Sequence, residues 1–395
     1  MAKTHAASGD EIVRWILTEG REAPNPARFL TNMCLRLVEA GVPLWRVTIW
    51  VATLHPQIRA FGWRWWRGRP VSEEVRVAQG IERTEEYILS PLRPTIEEGK
   101  VLRRRLGEEG PAEFPLLAEL QAEGGTDYIA APLNRMGSRY PVVAWASDRS
   151  GGFDDDDLAL LETIRPALAA VIEVIAVRRT ARGLFAIYHG QHVGERVFEG
   201  NVRRGEFAIV RTAIMATDLR DFTGISDRLP GEDVIDALDD YFEHVALATH
   251  GAKGHILKFI GDGVLAVFGI DGMSDAEASA AALAAARDIV ARLAAHNAAG
   301  GESGRVELRA GIGLHIGDIM YGNVGSADRL DFTAIGPAVN LAFRLEDLTK
   351  TLKRPVLASG AFAEACPVAL SPLGSHPIRG LSDLEDVYGL PEHDR

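Results

Sequence analysis

The sequence predicts a mixed α/β (α+β) protein built as two units, and three observations carry that prediction. The chain has 395 residues, more than one core holds comfortably, because domains of roughly 100–200 residues are the rule. All seven tryptophans precede residue 150, whereas the region after 205 is rich in Gly, Ala and Asp, so the halves are built around different cores. In both halves, β-branched and aromatic runs alternate with stretches of helical period.

Residues 1–24 read as an N-terminal helical segment and residues 25–178 as the first domain. Within that domain, NPARFLTNMCLRLVEAG and the segment around FPLLAELQAEG have helical spacing, while RVTIWVATLHP, DYIAAPL and YPVVAWAS read as strands. The run Phe61-Gly62-Trp63-Arg64-Trp65-Trp66 has two readings: a cage for a planar or cationic ligand, or a strand packing alternate rings into a core. The second is preferred, since aromatic residues suit strands without any ligand. Residues 156–182 carry apolar residues at helical spacing, with acids at the start and arginines at the end, and predict a long helix. The next stretch, GLFAIYHGQHVGERVFEGNVRRGE, is interrupted by Gly190, Gly194 and Gly200. It reads as a helical linker over 179–205, either a signalling element or a passive spacer.

Hydrophobic residues make up 47% of the chain and charged residues 25%, ordinary globular values that exclude wholesale disorder, collagen-like repeats and a disulfide scaffold. The net charge is -12, and the basic runs near Arg67 and at Arg103–Arg105 are short and flanked by carboxylates. No nucleic-acid partner is expected. Cys34 and Cys366 lie far apart and suggest neither a metal cluster nor a disulfide. His55 and His250 stand without partners at metal-ligand spacing. The N-terminus lacks the pattern of a secretory signal, and PALAAVIEVIAV falls short of the ~20 apolar residues that span a bilayer. A cytoplasmic protein with no membrane span is expected.

From Phe207, FAIVRTAIMATDLRDFTGISDRL reads as a strand ending at Asp218 and a tight turn into a helix through Thr223. A carboxylate there, beside a helix N-terminus, suits a divalent cation and the phosphates it binds. GHILKFIGDGVLAVFG reads as a hairpin with Asp262 at its tip. Either aspartate alone is weak, and a Gly-Asp-Gly is usually a mere turn. Together, on adjacent strands, they can hold two hard cations that activate an attacking oxygen and neutralise a transferring phosphoryl group. DAEASAAALAAARDIVARLAAHNAA is an alanine-rich helix without assigned chemistry. ELRAGIGLHIGDIMYGNVGSADRLDFTAIGPAVNLAFRLEDLT reads as a strand, glycine-rich connections and a second strand before a helix from about Pro337. On that helix Asn340 and Arg344 are four residues apart and share a face.

With these motifs in place, residues 206–395 resemble the catalytic domain of class III nucleotidyl cyclases, whose fold is ferredoxin-like. TDLRDFT resembles the first metal motif, KFIGDG the second and VNLAFRL the transition-state motif, with GIGLHIGD and YGNVG at the expected distances. The resemblance implies metal ligation by Asp218, Leu219 and Asp262, and substrate contacts at Phe222 and Thr223. Asn340 would orient the ribose and Arg344 would stabilise the phosphates in the transition state. Lys258 and Thr333 stand where the family reads the base; a lysine can donate to an adenine ring nitrogen and a threonine hydroxyl can accept from its exocyclic amine. Guanylate-making members resemble a different pair, usually with an acid where Lys258 stands, so ATP is the implied substrate.

Two positions depart from the pattern. Asp221 stands where the family often has glycine, and Arg379 is the nearest cation to the expected phosphate-binding lysine. Thr333, in place of the aspartate of the animal transmembrane enzymes, is similar to the subgroup containing bicarbonate-responsive cyclases, and bicarbonate stimulation is the expectation it carries. Residues 25–178 resemble a GAF sensor domain through the DYIAAPL strand and the Gly-Phe-acidic entry into the last helix.

The resemblances together imply an adenylate cyclase that converts ATP to 3′,5′-cyclic AMP and pyrophosphate, with two Mg²⁺ or Mn²⁺ ions per active site. They imply a homodimer whose active sites are shared between chains, helix 156–182 as a parallel dimer contact, and regulation through an unidentified ligand of the GAF-like domain. The alternatives are a guanylate cyclase, a catalytically silent nucleotide-binding module, and a palm-type polymerase or diguanylate cyclase. Retention of Asp218, Asp262, Asn340 and Arg344 argues against the silent module. The lack of a GGDEF-like hairpin and of a basic groove argues against the last.

Overall fold

Side chains alternate between the two faces of a strand, and this period decides which residues of the first half meet which layer. A computed structural model describes residues 2–107, 113–137, 139–300, 306–380 and 383–391, and the chain divides into two units, residues 1–184 and 185–395. In the first unit, strands β1 (Leu44–Ala52), β2 (Ile58–Trp66), β3 (Glu73–Ala78), β4 (Leu102–Arg105), β5 (Asp127–Pro132) and β6 (Val142–Ser147) form an antiparallel sheet in the order β3-β2-β1-β6-β5-β4. Its helices are α1 (Ala2–Leu17), α2 (Pro26–Glu39), α3 (Glu85–Ile88), α4 (Arg93–Glu98), α5 (Pro115–Ala122) and most of α6 (Asp155–His189).

One face of this sheet is the core. Val47, Ile49 and Val51 of β1 and Phe61, Trp63 and Trp65 of β2 pack with residues of α2 and α6. Trp63 and Trp65 are each 1% exposed, so the alternate rings of the aromatic run are core residues, as the packing reading expects. The helix α2 begins where its sequence says it should: the Asn25 side chain accepts from the Arg28 N–H, and Pro26 occupies the first turn. The other sheet face carries Arg46, Thr48 and Trp50 of β1. Gly62 of β2 lies under that face, where a β-carbon would come within 2.6 Å of the Trp50 ring.

Helix α6 starts on three aspartates and runs past the expected Arg182 to His189. Gly190 (φ +82°) ends it. The next helix, α7 (Gln191–Phe198), contains Gly194 rather than breaking there, and Gly200 (φ +94°) follows its end. Val193 of α7 is buried against Ile214, Leu257, Val267 and Tyr321, so the segment contributes to the core of the second unit.

That unit is built from β7 (Phe207–Leu219), α8 (Phe222–Arg228), α9 (Gly231–Gly251), β8 (His255–Ile260), β9 (Gly263–Phe268), α10 (Asp275–Gly300) and β10 (Ala310–Gly325). It continues with β11 (Leu330–Ile335), α11 (Pro337–Leu352), β12 (Val356–Ser359), α12 (Gly360–Ala365), β13 (Ser371–Pro377) and β14 (Leu384–Gly389). The sheet order is β13-β14-β12-β10-β7-β9-β8, with β11 on β10. The run β7-α9-β8-β9-α10-β10 is a β-α-β-β-α-β unit with neighbours β10-β7-β9-β8, the ferredoxin-like arrangement. Small residues let α10 sit close, since Ala278, Ala282, Ala285 and Ala286 pack beside Met215, Val264 and Ala266 of the sheet.

A further expectation is corrected. The glycines read as connections before β11 lie within β10, which is continuous from Ala310 to Gly325. Gly313 is there because α11 crosses β10 closely: a β-carbon would collide with the Ala342 carbonyl oxygen.

Candidate active site

Strand β7 delivers Asp218 next to its last residue, where it pairs with Gly263 at the start of β9. The β8–β9 hairpin turns through Gly261 (φ +63°) and Asp262, and the Leu219 N–H donates to the Asp262 carbonyl at 3.4 Å. The two carboxylates therefore stand side by side with the Leu219 main chain between their strands. Burial, and then the charge of Asp262, hold the Asp218 carboxyl above its usual range. Lys350, from the last turn of α11, offsets part of this repulsion with its Nζ 3.4 Å from Asp218 Oδ2. Two converging carboxylates that repel one another are a hard-oxygen donor set suited to Mg²⁺ or Mn²⁺.

Behind Asp218 lies a second charged layer. Glu346, 3% exposed, has its Oε1 3.3 Å from Arg220 Nη1. Burial, followed by the Asp218 charge, pushes its carboxyl up to about 7. Gly311 leaves the space these side chains fill, since a β-carbon there would collide with both. Tyr241, fully buried, shares a 2.7 Å hydrogen bond with Thr217 Oγ1 and so anchors the strand just before Asp218. Sequence reasoning missed Lys350, Glu346 and Arg220. The signal available was the spacing of Glu346 and Lys350, four residues apart on the helix that carries Asn340 and Arg344.

Phe222, half-buried, and exposed Thr223 occupy the first turn of α8. Asp221 adopts φ +59°, the left-handed region that favours glycine and that aspartate tolerates. Its carboxylate turns to Arg228, 2.9 Å away.

The base-reading candidates also converge. Lys258 of β8 is ion-paired with Asp331 of β11, and Asp331 is two residues from Thr333, hence on the same side of the strand. Asp331 is a partner that the sequence did not reveal. Arg344 packs against the turn after β13: a β-carbon at Gly380 would lie 3.1 Å from Arg344 Nη2, and exposed Arg379 is its neighbour in the chain.

Asn340 is exposed on α11. At ~1.5 Å rise per residue it stands roughly 15 Å along the helix axis from Lys350, and Arg344 roughly 9 Å. Within one chain the helix therefore spaces this pair well away from the residue that touches Asp218.

Residues 208–361 match the family described as the adenylate and guanylate cyclase catalytic domain. This region belongs to the class III cyclases. The chain is 37% identical over 176 residues to "Adenylate cyclase 1" of Rhizobium meliloti (strain 1021), covering 44% of this chain and 26% of that protein. It is 32% identical over 173 residues to "Adenylate cyclase" of Anabaena cylindrica, covering 43% of this chain and 34% of that one. The chain thus spans about a third or less of the length of these two relatives. Among solved structures, the adenylyl cyclase CyaB from P. aeruginosa aligns with a TM-score of 0.43 and 24% identity, over 47% of this chain and 95% of that chain.

The first unit contains a cavity of about 570 Å³ on the sheet face opposite its core, lined by Arg46, Trp50, Arg64, Tyr128 and Arg139 among others. Neither Arg46 nor Arg64 has an ion-pair partner among the described residues. Arg64 Nε and the Tyr128 hydroxyl are buried without a hydrogen-bond partner. Burial and the charge of Arg64 pull the Arg46 guanidinium below its usual range. No helix among the described residues is long and apolar enough to cross a membrane. Cys34 and Cys366 are free and buried.

Proposed function

We propose that this protein is an adenylate cyclase, converting ATP to 3′,5′-cyclic AMP and pyrophosphate at sites shared between the two chains of a homodimer. The observation that carries this reading is the Asp218–Asp262 pair at the strand ends of a cyclase domain that keeps Asn340 and Arg344 on one helix face. In the reaction the ribose 3′ oxygen attacks the α-phosphorus in line, losing its proton, and pyrophosphate leaves. Asp218, Asp262 and the Leu219 main chain would hold two Mg²⁺ or Mn²⁺ ions, which would supply charge neutralisation at the phosphates. Lys258 and Thr333 bind the adenine edge, and Asn340 fixes the ribose. Arg344, with Arg379 beside it, meets the charge that grows on the phosphates, while Phe222 and Thr223 border the triphosphate. Positioning and fixed charge are the protein's main contributions.

The spacing along α11 favours a shared site, because the aspartates of one chain need an Asn340 and Arg344 that its own helix holds away from them. We assign the first unit a GAF-like regulatory role. Its cavity presents Arg46 and Arg64, which lack ion-pair partners among the described residues, beside apolar side chains, which suits an anionic ligand with an apolar body. The test is incubation of purified protein with ATP or GTP and each metal, with chromatographic separation of products. Cyclic AMP from ATP is expected. Cyclic GMP alone would make the protein a guanylate cyclase, and no cyclic nucleotide under any condition would make it a silent nucleotide-binding module.

A further inference from the structure

Three residues that the sequence leaves unconnected meet at the end of the β8–β9 hairpin opposite Asp262. His192 is in the first turn of α7, His255 is the first residue of β8, and Asp271 follows the end of β9. His255 Nε2 lies 2.7 Å from Asp271 Oδ2, and His192 Nδ1 lies 3.7 Å from Asp271 Oδ1. The imidazole rings are 5.0 Å apart. One ligand atom from each residue falls within 4.8 Å of the others.

We propose that His192, His255 and Asp271 form a binding site for a transition-metal cation of the zinc class, separate from the aspartate pair, that clamps α7 to the β8–β9 hairpin. Two imidazole nitrogens and a carboxylate oxygen are borderline donors that select Zn²⁺ or Co²⁺ over Mg²⁺. Bonds of ~2.0–2.2 Å in a tetrahedron set ligand atoms roughly 3.3–3.5 Å apart. The two nitrogen–oxygen separations, 2.7 and 3.7 Å to the two oxygens of one carboxylate, bracket that value.

A plain His255–Asp271 hydrogen bond accounts for two of the three residues. It does not account for His192, whose ring nitrogen faces the other oxygen of the same carboxylate. Tyr321 adds a second observation. Its ring centroid lies 5.8 Å from that of His192 and so limits the imidazole's freedom.

The consequence lies in what the site joins. Gly190 abuts the Ile256 carbonyl, where a β-carbon would come within 3.0 Å, and Val193 packs on Leu257 and Val267. Helix α7 thus already lies on the hairpin that carries Lys258 and Asp262. A bound cation adds a directional tie at the open end of that hairpin.

The site is read without turnover, so its test is independent of the cyclase assignment. Full-length protein is stripped with a chelator, held in excess Mg²⁺ and titrated with Zn²⁺ against a chromophoric chelator. A parallel Co²⁺ titration is followed by its visible bands. One ion per chain and tetrahedral cobalt bands are expected, with roughly tenfold or weaker binding in His192→Ala, His255→Ala and Asp271→Asn, and an unchanged ion in Asp262→Asn. Asp271→Asn, an exposed near-isostere, decides the matter if a histidine variant fails to fold. Zn²⁺ should also slow hydrogen exchange over residues 190–198 in the wild type and not in His255→Ala. No stoichiometric binding, equal affinity in the variants, or loss of the ion in Asp262→Asn overturns the site. Unchanged exchange with the ion bound overturns the clamp.

Discussion

Lys350 Nζ lies 3.4 Å from Asp218 Oδ2, an ammonium group beside the carboxylate proposed to hold a divalent cation. The lysine and the cation repel each other, so the lysine weakens metal binding while it relieves the Asp218–Asp262 repulsion. Lys350→Met should lower the Mn²⁺ concentration for half-maximal turnover by roughly fivefold, the equivalent of about 1 kcal/mol for a partly exposed charge pair. Metal titration at saturating ATP measures this. An unchanged midpoint would mean that Lys350 does not sense the metal.

Asp218→Ala and Arg344→Ala should each abolish turnover, because one removes a proposed metal ligand and the other a proposed phosphate partner. Mixed chains should recover activity. In a mixed dimer one site carries both lesions and the other neither, so random pairing restores about a quarter of wild-type activity if sites act independently. Cyclic AMP formation after co-expression is the measurement, with each variant alone as control. No recovery in demonstrated mixed dimers would place the whole site in one chain.

Lys258 is ion-paired with Asp331, beside Thr333. Lys258→Glu combined with Thr333→Ser should lose most ATP use and shift the ATP/GTP ratio of kcat/KM, since mismatched hydrogen bonds discriminate strongly between polar substrates. Asp331→Asn, which leaves the lysine unoriented, should cost ATP only a few fold, in line with an exposed pair. A constant ratio across these variants would remove the base-reading role.

His315, on β10, has Nδ1 2.7 Å from Ser359 Oγ. Burial, and then Arg211, pull its imidazole from an ordinary 6.5 down to about 4. The unfolded chain takes up this proton near 6.5 and the folded chain only near 4, so the unfolded state binds more protons between them. This contribution to stability is complete above pH 6.5 and is lost as pH falls towards 4, by up to about 3 kcal/mol. Urea unfolding at pH 7.5 and 4.5 should show a smaller acid loss in His315→Gln than in the wild type. Equal losses would contradict the assignment.

The chain's local patterns were enough for much of the cyclase domain. Asp218 before a strand-to-helix turn, Asp262 in a Gly-Asp-Gly hairpin, and Asn340 and Arg344 four apart on one helix all depend on residues within a few positions of each other. Strand and helix periods express such neighbours directly. The β10 glycines misled for the same reason: in isolation glycine punctuates a chain, whereas here it lets α11 approach β10.

Alternate burial of Phe61, Trp63 and Trp65, the hairpin around Asp262, and the face shared by Asn340 and Arg344 were determined by sequence alone, because local spacing and backbone periodicity set them. The contacts of Lys350 with Asp218, Glu346 with Arg220, Lys258 with Asp331, and His192 with His255 and Asp271 were decided only by tertiary structure. Each joins residues on elements whose adjacency follows from the strand order β10-β7-β9-β8 and from where α7, α11 and β11 settle on that sheet. Side-chain spacing along one segment carries no record of which other segment will pack beside it, and that choice is made by burial of the shared core.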